Sequence, residues 1–240
     1  MGRDQLYANG EVREDFRFNE EVAEVFDDML ARSVPCYGQV TAMTARLLAR
    51  FLEHHDRVFD LGCSTGATML ELCRRLEPLE LRFIGVDNSP AMIAKARLKA
   101  EMYGKQERLA FVEGDILEVD LAGAGAVLLN YTLQFVRPLL RPAFLEKICQ
   151  GLRPGGVLIV SEKIISSDPV VNRAFIDFYL DFKRDQGYSE IEITRKRQAL
   201  ENVLIPFSME ENRDLLRQAG FASVETFSQW FNFASFVAVK

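Results

Sequence analysis

Between Arg57 and Ser161, short apolar runs alternate with stretches of helical periodicity, and this alternation narrows the possible folds more than any other feature of the chain. Arg57-Val58-Phe59-Asp60-Leu61 reads as a strand and 66–76 as the helix after it. Residues 81–87 form the next strand. Ser89-Pro90 then opens a helix, with the serine as N-cap and the proline at the first helical position. Residues 109–113 and 125–130 are the third and fourth strands, 141–151 is a helix, and Gly155-Gly156 turns the chain into a fifth strand over 157–161. Strands joined through helices run parallel, and a parallel sheet is covered on both faces. The expected class is therefore α/β, doubly wound, with a mostly parallel sheet.

The flanks are different. Val22, Val25, Phe26, Met29 and Leu30 share one face of a helix beginning at Asn19, and Ser33-Val34-Pro35 ends it. A second helix spans 39–52. Residues 1–17 are polar and read as loose. After the fifth strand, 163–206 interrupts the alternation with two helices, 170–184 and 189–203, divided at Gly187. A helix over 209–219 and strands over 222–227 and 231–239 follow. No linker rich in Pro, Gly or Ser intervenes, so 1–240 is expected to be a single domain. Its parts would be N-terminal helices over 18–52, a core over 56–162, a helical insertion over 163–206 and closing elements over 207–240.

Composition rules out several classes of function. With 240 residues, 48% of them hydrophobic, the chain has ample material for a core. A formal net charge of −6 argues against gripping nucleic acid by its backbone, so no direct nucleic-acid binding is expected. Cys36, Cys63, Cys73 and Cys149 form no C-x-x-C pair, and His54 and His55 cannot complete a zinc set, so no metal is expected. Met1 to Gly10 holds no apolar stretch fit for a signal peptide, and no run of about 18 apolar residues suggests a membrane span. The expectation is a cytoplasmic protein with reduced thiols.

Three features at successive strand ends carry chemistry. Asp60-x-Gly62-x-x-x-Gly66 joins the first strand to its helix, and its glycines let a ligand approach the backbone. The spacing is not G-x-G-x-x-G. It fits the amino-acid end of S-adenosyl-L-methionine (SAM) better than a pyrophosphate, although a tight turn without ligand would look similar. Asp87 ends the second strand, where an acidic residue accepts ribose hydroxyls; alone, it would read equally well as a helix cap. Gly114-Asp115-Ile116 follows the third strand, where an acidic residue can accept from the adenine amino group and the next backbone N–H can serve the ring. Ligands bind outside the carboxyl ends of parallel strands, so the three converge on one crevice. Asn130 and the residues after it, at the end of the fourth strand, would face the reacting methyl group, or Asn130 alone would, with the rest packing. Two adjacent closing strands complete a Rossmann-like fold of the class I SAM-dependent methyltransferase type rather than a dinucleotide-binding one. Cys63 lies within the glycine loop and is not expected to be a nucleophile.

Across about 18–239 the chain also resembles the carboxy-S-adenosyl-L-methionine synthase family. The resemblance rests on Arg32-Ser33-Val34-Pro35-x-Tyr37, Asp60-Leu61-Gly62-Cys63-Ser64, Asp87-Asn88-Ser89-Pro90, Glu113-Gly114-Asp115-Ile116 and Thr132-Leu133-Gln134-Phe135. It continues through Asp181-Phe182-Lys183-Arg184, Gly187-Tyr188-Ser189-Glu190, Lys196-Arg197 and Leu200-Glu201-Asn202-Val203. It implies that Gly62, Cys63 and Ser64 line the methionine end, that Asp87 and Asn88 hold ribose, and that Asp115 and Ile116 hold adenine. It further implies that Asn130 and Tyr37 lie near the sulfonium and its carboxymethyl group, and that Arg197 pairs with the new carboxylate from the neighbouring subunit of a homodimer.

The chemistry implied is equally specific. SAM would be substrate and carboxy-SAM product. Prephenate would supply carbon dioxide and leave as phenylpyruvate, a sulfonium ylide would trap the carbon dioxide, and the product would pass to a tRNA carboxymethyltransferase acting on a wobble uridine. The hydroxyl lost from prephenate is a plausible base, so the chain need not supply one. Tyr37 and Arg197 are the expected catalytic residues. Two other readings remain open at this point: an ordinary SAM-dependent small-molecule methyltransferase, and a non-catalytic SAM-binding or RNA-associated subunit.

Overall fold

A computed structural model describes residues 2–8 and 15–240. The first five strands are β1 (Arg57–Leu61), β2 (Arg82–Asp87), β3 (Leu109–Glu113), β4 (Ala124–Asn130) and β5 (Leu152–Ile165). The last three are β6 (Phe207–Ser208), β7 (Ser223–Trp230) and β8 (Phe233–Val239). The sheet runs β3-β2-β1-β4-β5-β8-β7, with β6 paired to β5 outside that path. Pairing is parallel from β3 through β5; β8 runs antiparallel to β5, and β7 to β8. The mostly parallel, doubly wound sheet expected from the alternation is thus present, with its order reversing between β1 and β4. At such a switch point the helices leave to opposite faces and a crevice opens at the strand ends.

Helices cover both faces: α1 (Glu20–Ser33), α2 (Tyr37–Phe51), α3 (Ala67–Arg75), α4 (Pro90–Met102), α5 (Arg141–Gly151), α6 (Pro169–Asp185), α7 (Glu190–Leu200) and α8 (Met209–Gln218). One core cluster packs Phe59, Leu61, Val127 and Leu129 beneath α5 and α8 through Phe144, Leu145, Ile148 and Leu216. The other packs Val58, Phe83, Ala126 and Leu128 against Leu48, Met69, Leu72 and Ile93 of α2, α3 and α4. Alternate residues of one strand thus serve opposite cores, which explains why the central strands are apolar throughout rather than alternating.

Three expectations need correction. β5 is longer than 157–161, because Leu152 already pairs with Ala124 before a register shift at Ala124/Ala126. The two-residue strand β6 was not foreseen. The segment over 1–17, where described, is not uniformly loose: Phe16 is buried, and Asp4 is only 1% exposed. Asp4 accepts a hydrogen bond from Tyr188 Oη, and its backbone N–H donates to Asp28 Oδ2 at 2.7 Å. Residues 1 and 9–14 lie outside the described residues.

Candidate active site

The crevice at the carboxyl ends of β1 to β4 deepens into a cavity of about 650 Å³, within the range of small-molecule sites. Tyr37, Gly62, Cys63, Ser64, Asp87, Asn88, Asp115, Ile116, Asn130 and Arg197 all line it.

The loop after β1 is shaped by Gly62, whose φ of +80° lies in the left-handed region. A Cβ there would stand 2.5 Å from Thr132 Oγ1, so the loops after β1 and β4 meet where only glycine fits. Asp87 stitches this loop to the end of β2: Ser64 N–H donates to Oδ2 and Ser89 N–H to Oδ1, both at 2.9 Å. The N-cap of α4 is Ser89 itself, whose Oγ accepts from Met92 N–H. Asp87 is therefore not that cap, and its carboxylate faces the cavity. Beyond β3, Asp115 is exposed and Oδ1 accepts from Leu117 N–H at 2.9 Å, which turns the chain so that Ile116 reaches the cavity wall.

Asp60 lies on the floor, 2% exposed. Burial, reinforced by the charge of Asp87, pushes its carboxyl up to about 7, and nearby Asn130 draws it part of the way back. Even so, Asp60 Oδ1 and Asn130 Nδ2 are both buried without a hydrogen bond of ordinary geometry. Orphaned buried polar atoms are costly, and on a cavity wall they mark what a polar ligand would satisfy. A buried acceptor and donor beside an open glycine loop fit the amino and carboxylate groups of SAM. Burial, with Asp60 and Asp87 adding to it, pushes the Cys63 thiol far up, which disfavours the thiolate.

The middle of the cavity is aromatic. Tyr37 opens α2, and its hydroxyl shares a 2.6 Å hydrogen bond with Thr68 Oγ1; burial pushes its pKa up to about 12. Its ring lies 6.4 Å from that of Tyr131, a non-glycine residue at φ +59°. Such a backbone costs about 1–3 kcal/mol and persists only where its surroundings impose it. Here they do: Tyr131 N–H donates to Ser161 O at 2.6 Å, while both oxygens of buried Glu162 accept at 2.9 Å from Leu133 and Gln134 N–H. Burial pushes Glu162 up to about 8 against the pull of those donors.

The far end is cationic. Lys163 of β5, Lys183 of α6, and Lys196 and Arg197 of α7 all line it, around Tyr179. Lys196 donates to Ser33 Oγ at 3.0 Å and pairs with Asp4 at 3.4 Å; burial still lowers it to about 8. Burial first, then the charges of Lys196 and Lys163, brings Lys183 down to about 7. Burial and the charge of Arg197 lower Lys163. Although the resemblance implies an arginine reaching in from a neighbouring subunit, Arg197 lines the cavity of its own chain.

Glu162, Lys163, Tyr179 and Lys183 had no expected role, and Asp60 and Tyr131 were expected only as parts of longer runs. Asp60 was inside a recognised motif, and Glu162-Lys163, charged residues within a buried strand, were a signal. Tyr179 and Lys183 stand four apart on one helix and so share a face. Among the described residues, no group of three His, Cys, Asp or Glu is arranged to hold a metal ion, and no helix is long and apolar enough to cross a membrane.

Comparison with known proteins agrees with this fold. A methyltransferase domain family matches residues 58–156. The carboxy-S-adenosyl-L-methionine synthase of Desulfotalea psychrophila is 53% identical over 99% of this chain and 97% of its own length. The enzyme of the same name from Wolinella succinogenes is 47% identical over 99% and 98%. Among solved structures, an O-methyltransferase family protein from Burkholderia thailandensis superposes with a TM-score of 0.64 at 17% identity, over 94% of this chain and 64% of that one. Human N-acetylserotonin methyltransferase in complex with SAM superposes with a TM-score of 0.61 at 17% identity, over 92% and 55%.

Proposed function

Because the chain belongs to the carboxy-S-adenosyl-L-methionine synthase family, we propose that this enzyme makes carboxy-SAM from SAM and prephenate, releasing phenylpyruvate and water. One observation carries the reading: a single cavity has carboxylates at one end and cations at the other, around a tyrosine wall. A cationic sulfonium donor and an anionic second substrate need such a divided site. Prephenate loses its ring carboxylate as carbon dioxide and its ring hydroxyl as hydroxide, which aromatises the ring. The hydroxide takes a proton from the SAM methyl group and leaves as water. The resulting ylide carbon bonds to carbon dioxide, and the new carboxylate offsets the sulfonium charge.

The residues have distinct parts in this reading. Gly62, Cys63 and Ser64 hold the methionine end with Asp60 and Asn130; Asp87 and Asn88 hold ribose; Asp115 and Ile116 hold adenine. Tyr37 and Asn130 orient the sulfonium carbon. Arg197 clamps the new carboxylate with two parallel hydrogen bonds, which favours product, and the transition state that resembles it, over SAM. The protein supplies no base. It contributes position, exclusion of water and fixed charge.

We read residues 1–240 as one SAM-binding unit, since the cavity is lined from both core and insertion. A homodimer is supported by the resemblance and by the exposed Val170, Phe178 and Ile191 on α6 and α7. A cytoplasmic setting is supported by four cysteines that are all free thiols. The product's use by a tRNA carboxymethyltransferase at a wobble uridine rests on the resemblance. Mass spectrometry of ligand released from purified protein tests the reading. A SAM derivative heavier by one carbon dioxide is expected; SAM or S-adenosylhomocysteine alone, even after prephenate is supplied, would point to an ordinary methyltransferase instead.

A further inference from the structure

The cationic end of the cavity holds more positive charge than the protein neutralises. Lys196 has Asp4 and Ser33. The ammonium of Lys183, a residue only 6% exposed, makes no hydrogen bond or ion pair among the described residues, and the same is true of the Lys163 ammonium. Each stands over the face of Tyr179, with Nζ 4.6 Å from the ring centroid for Lys183 and 5.0 Å for Lys163. Tyr179 is itself fixed, its hydroxyl donating to Ser33 O at 2.9 Å. Both side chains line the cavity, and a cation–π contact leaves their charge unneutralised. Two unpaired ammonium groups beside one ring, with Arg197 near Lys163, are therefore incomplete without an anion.

From Tyr179 an unbroken row of rings leads back toward the methyl end: Phe233 at 5.0 Å, Tyr131 at 6.2 Å from Phe233, and Tyr37 at 6.4 Å from Tyr131. A ligand anchored at the lysines and lying on this row would reach the SAM carbon without crossing the acidic floor. We propose that Lys163 and Lys183, gathered on Tyr179, form a carboxylate-binding subsite that holds the second substrate, a ring-bearing dicarboxylate, against the Tyr179-Phe233-Tyr131 wall. Lys163 and Lys183 bind the carboxylate that stays with the departing ring. Arg197 is left for the carboxylate transferred to SAM. This rests on the prephenate reading and adds to it the residues that select the co-substrate.

The test replaces each lysine by methionine, which keeps the length and apolar stem while removing the charge. Carboxy-SAM formation is measured against prephenate concentration at saturating SAM, and malonate, a simple dicarboxylate, is titrated calorimetrically into the SAM-loaded protein. Lys183→Met and Lys163→Met are each expected to raise KM for prephenate by about tenfold or more, the scale of one charged hydrogen bond, with SAM affinity within about twofold of wild type. Melting temperature of Lys183→Met should stay level or rise, since a buried and unpaired ammonium is removed. Unchanged KM in both variants, with wild-type protein active on prephenate, overturns the subsite and leaves the function standing. Wild-type protein that is inactive on prephenate but binds malonate in a Lys183-dependent way overturns the function and leaves the subsite standing. Malonate binding that is absent, or indifferent to both lysines, in a protein inactive on prephenate overturns both.

Discussion

The two ends of the cavity were built by different parts of the chain. Asp60, Asp87 and Asp115 stand at the ends of successive parallel strands, each within a few residues of a glycine, so topology alone brings them together. Lys163, Lys183 and Arg197 come from one strand and two helices of an insertion, and only packing makes them neighbours. In the function proposed above, the acidic end takes the donor that methyltransferase folds share, and the cationic end takes the second substrate. A fold can therefore keep the first while changing the second, and perturbations at the two ends should separate.

The largest effect is expected at Arg197. Arg197→Ala should lower carboxy-SAM formation by about a hundredfold or more, the scale of losing a preorganised charge stabiliser, with SAM affinity nearly unchanged because a guanidinium does nothing for a sulfonium cation. Arg197→Lys should recover only part, lacking the planar fork. Mixing Arg197→Ala chains with Asp87→Ala chains asks where the arginine acts: activity regained in verified mixed dimers means it crosses between subunits, and none means it serves the cavity of its own chain.

At the acidic end, Asp87→Ala should weaken SAM binding by about tenfold or more in a calorimetric titration. Because Asp87 also fixes Ser64 and Ser89 N–H, a small drop in melting temperature is expected beside it. Wild-type affinity would remove Asp87 from the ribose site.

The ends should also respond to pH in opposite directions. Asp60, held up to about 7 by burial and by Asp87, gains its negative charge as pH rises through that value, so affinity for cationic SAM should rise between about pH 6 and 8. Lys183, held down to about 7 by burial, by Lys163 on β5 and by Lys196 on α7 against the pull of Asp4, loses its charge over the same window, so malonate affinity should fall. Each change is at most about tenfold for a single group. Asp60→Asn should flatten the first profile and Lys183→Met the second; parallel profiles would break the division between the ends.

The smallest effect is expected at exposed Asp115. Asp115→Asn retains an oxygen that can accept from adenine, so SAM affinity should fall only about threefold, less than one full hydrogen bond. A loss as large as that of Asp87→Ala would mean that the carboxylate charge itself matters.

The same contrast explains what could be read in advance. β1 and β3 have the expected limits because strand, glycine turn and helix follow one another locally, and Ser89-Pro90 marks the start of α4 without help from the rest of the fold. The expected site residues at the strand ends, from Gly62 to Asn130, line one cavity for the same reason, whereas Tyr37 and Arg197 reach it from helices. Lys163 and Lys183 escaped notice because twenty residues and a helix start separate them, and nothing in either segment signals the other. Charge at Glu162-Lys163 inside an apolar strand was the visible clue, since burial there demands either a partner or a ligand. Asp4 escaped because a polar residue in a polar segment gives no hint of partners so far along the chain.

That last contact has a bearing on synthesis. Asp4 and Lys196 are 192 residues apart in sequence. At the roughly 5–20 residues per second of translation, Asp4 is added to the chain roughly 10–40 s before Lys196 exists to meet it. The parallel strands β1 to β5 are all made in that interval, whereas β7 and β8 and the wall that carries Lys196 come later. The strands beneath the acidic end can therefore pair before the cationic end of the cavity is closed, by a residue made 192 positions earlier than its partner.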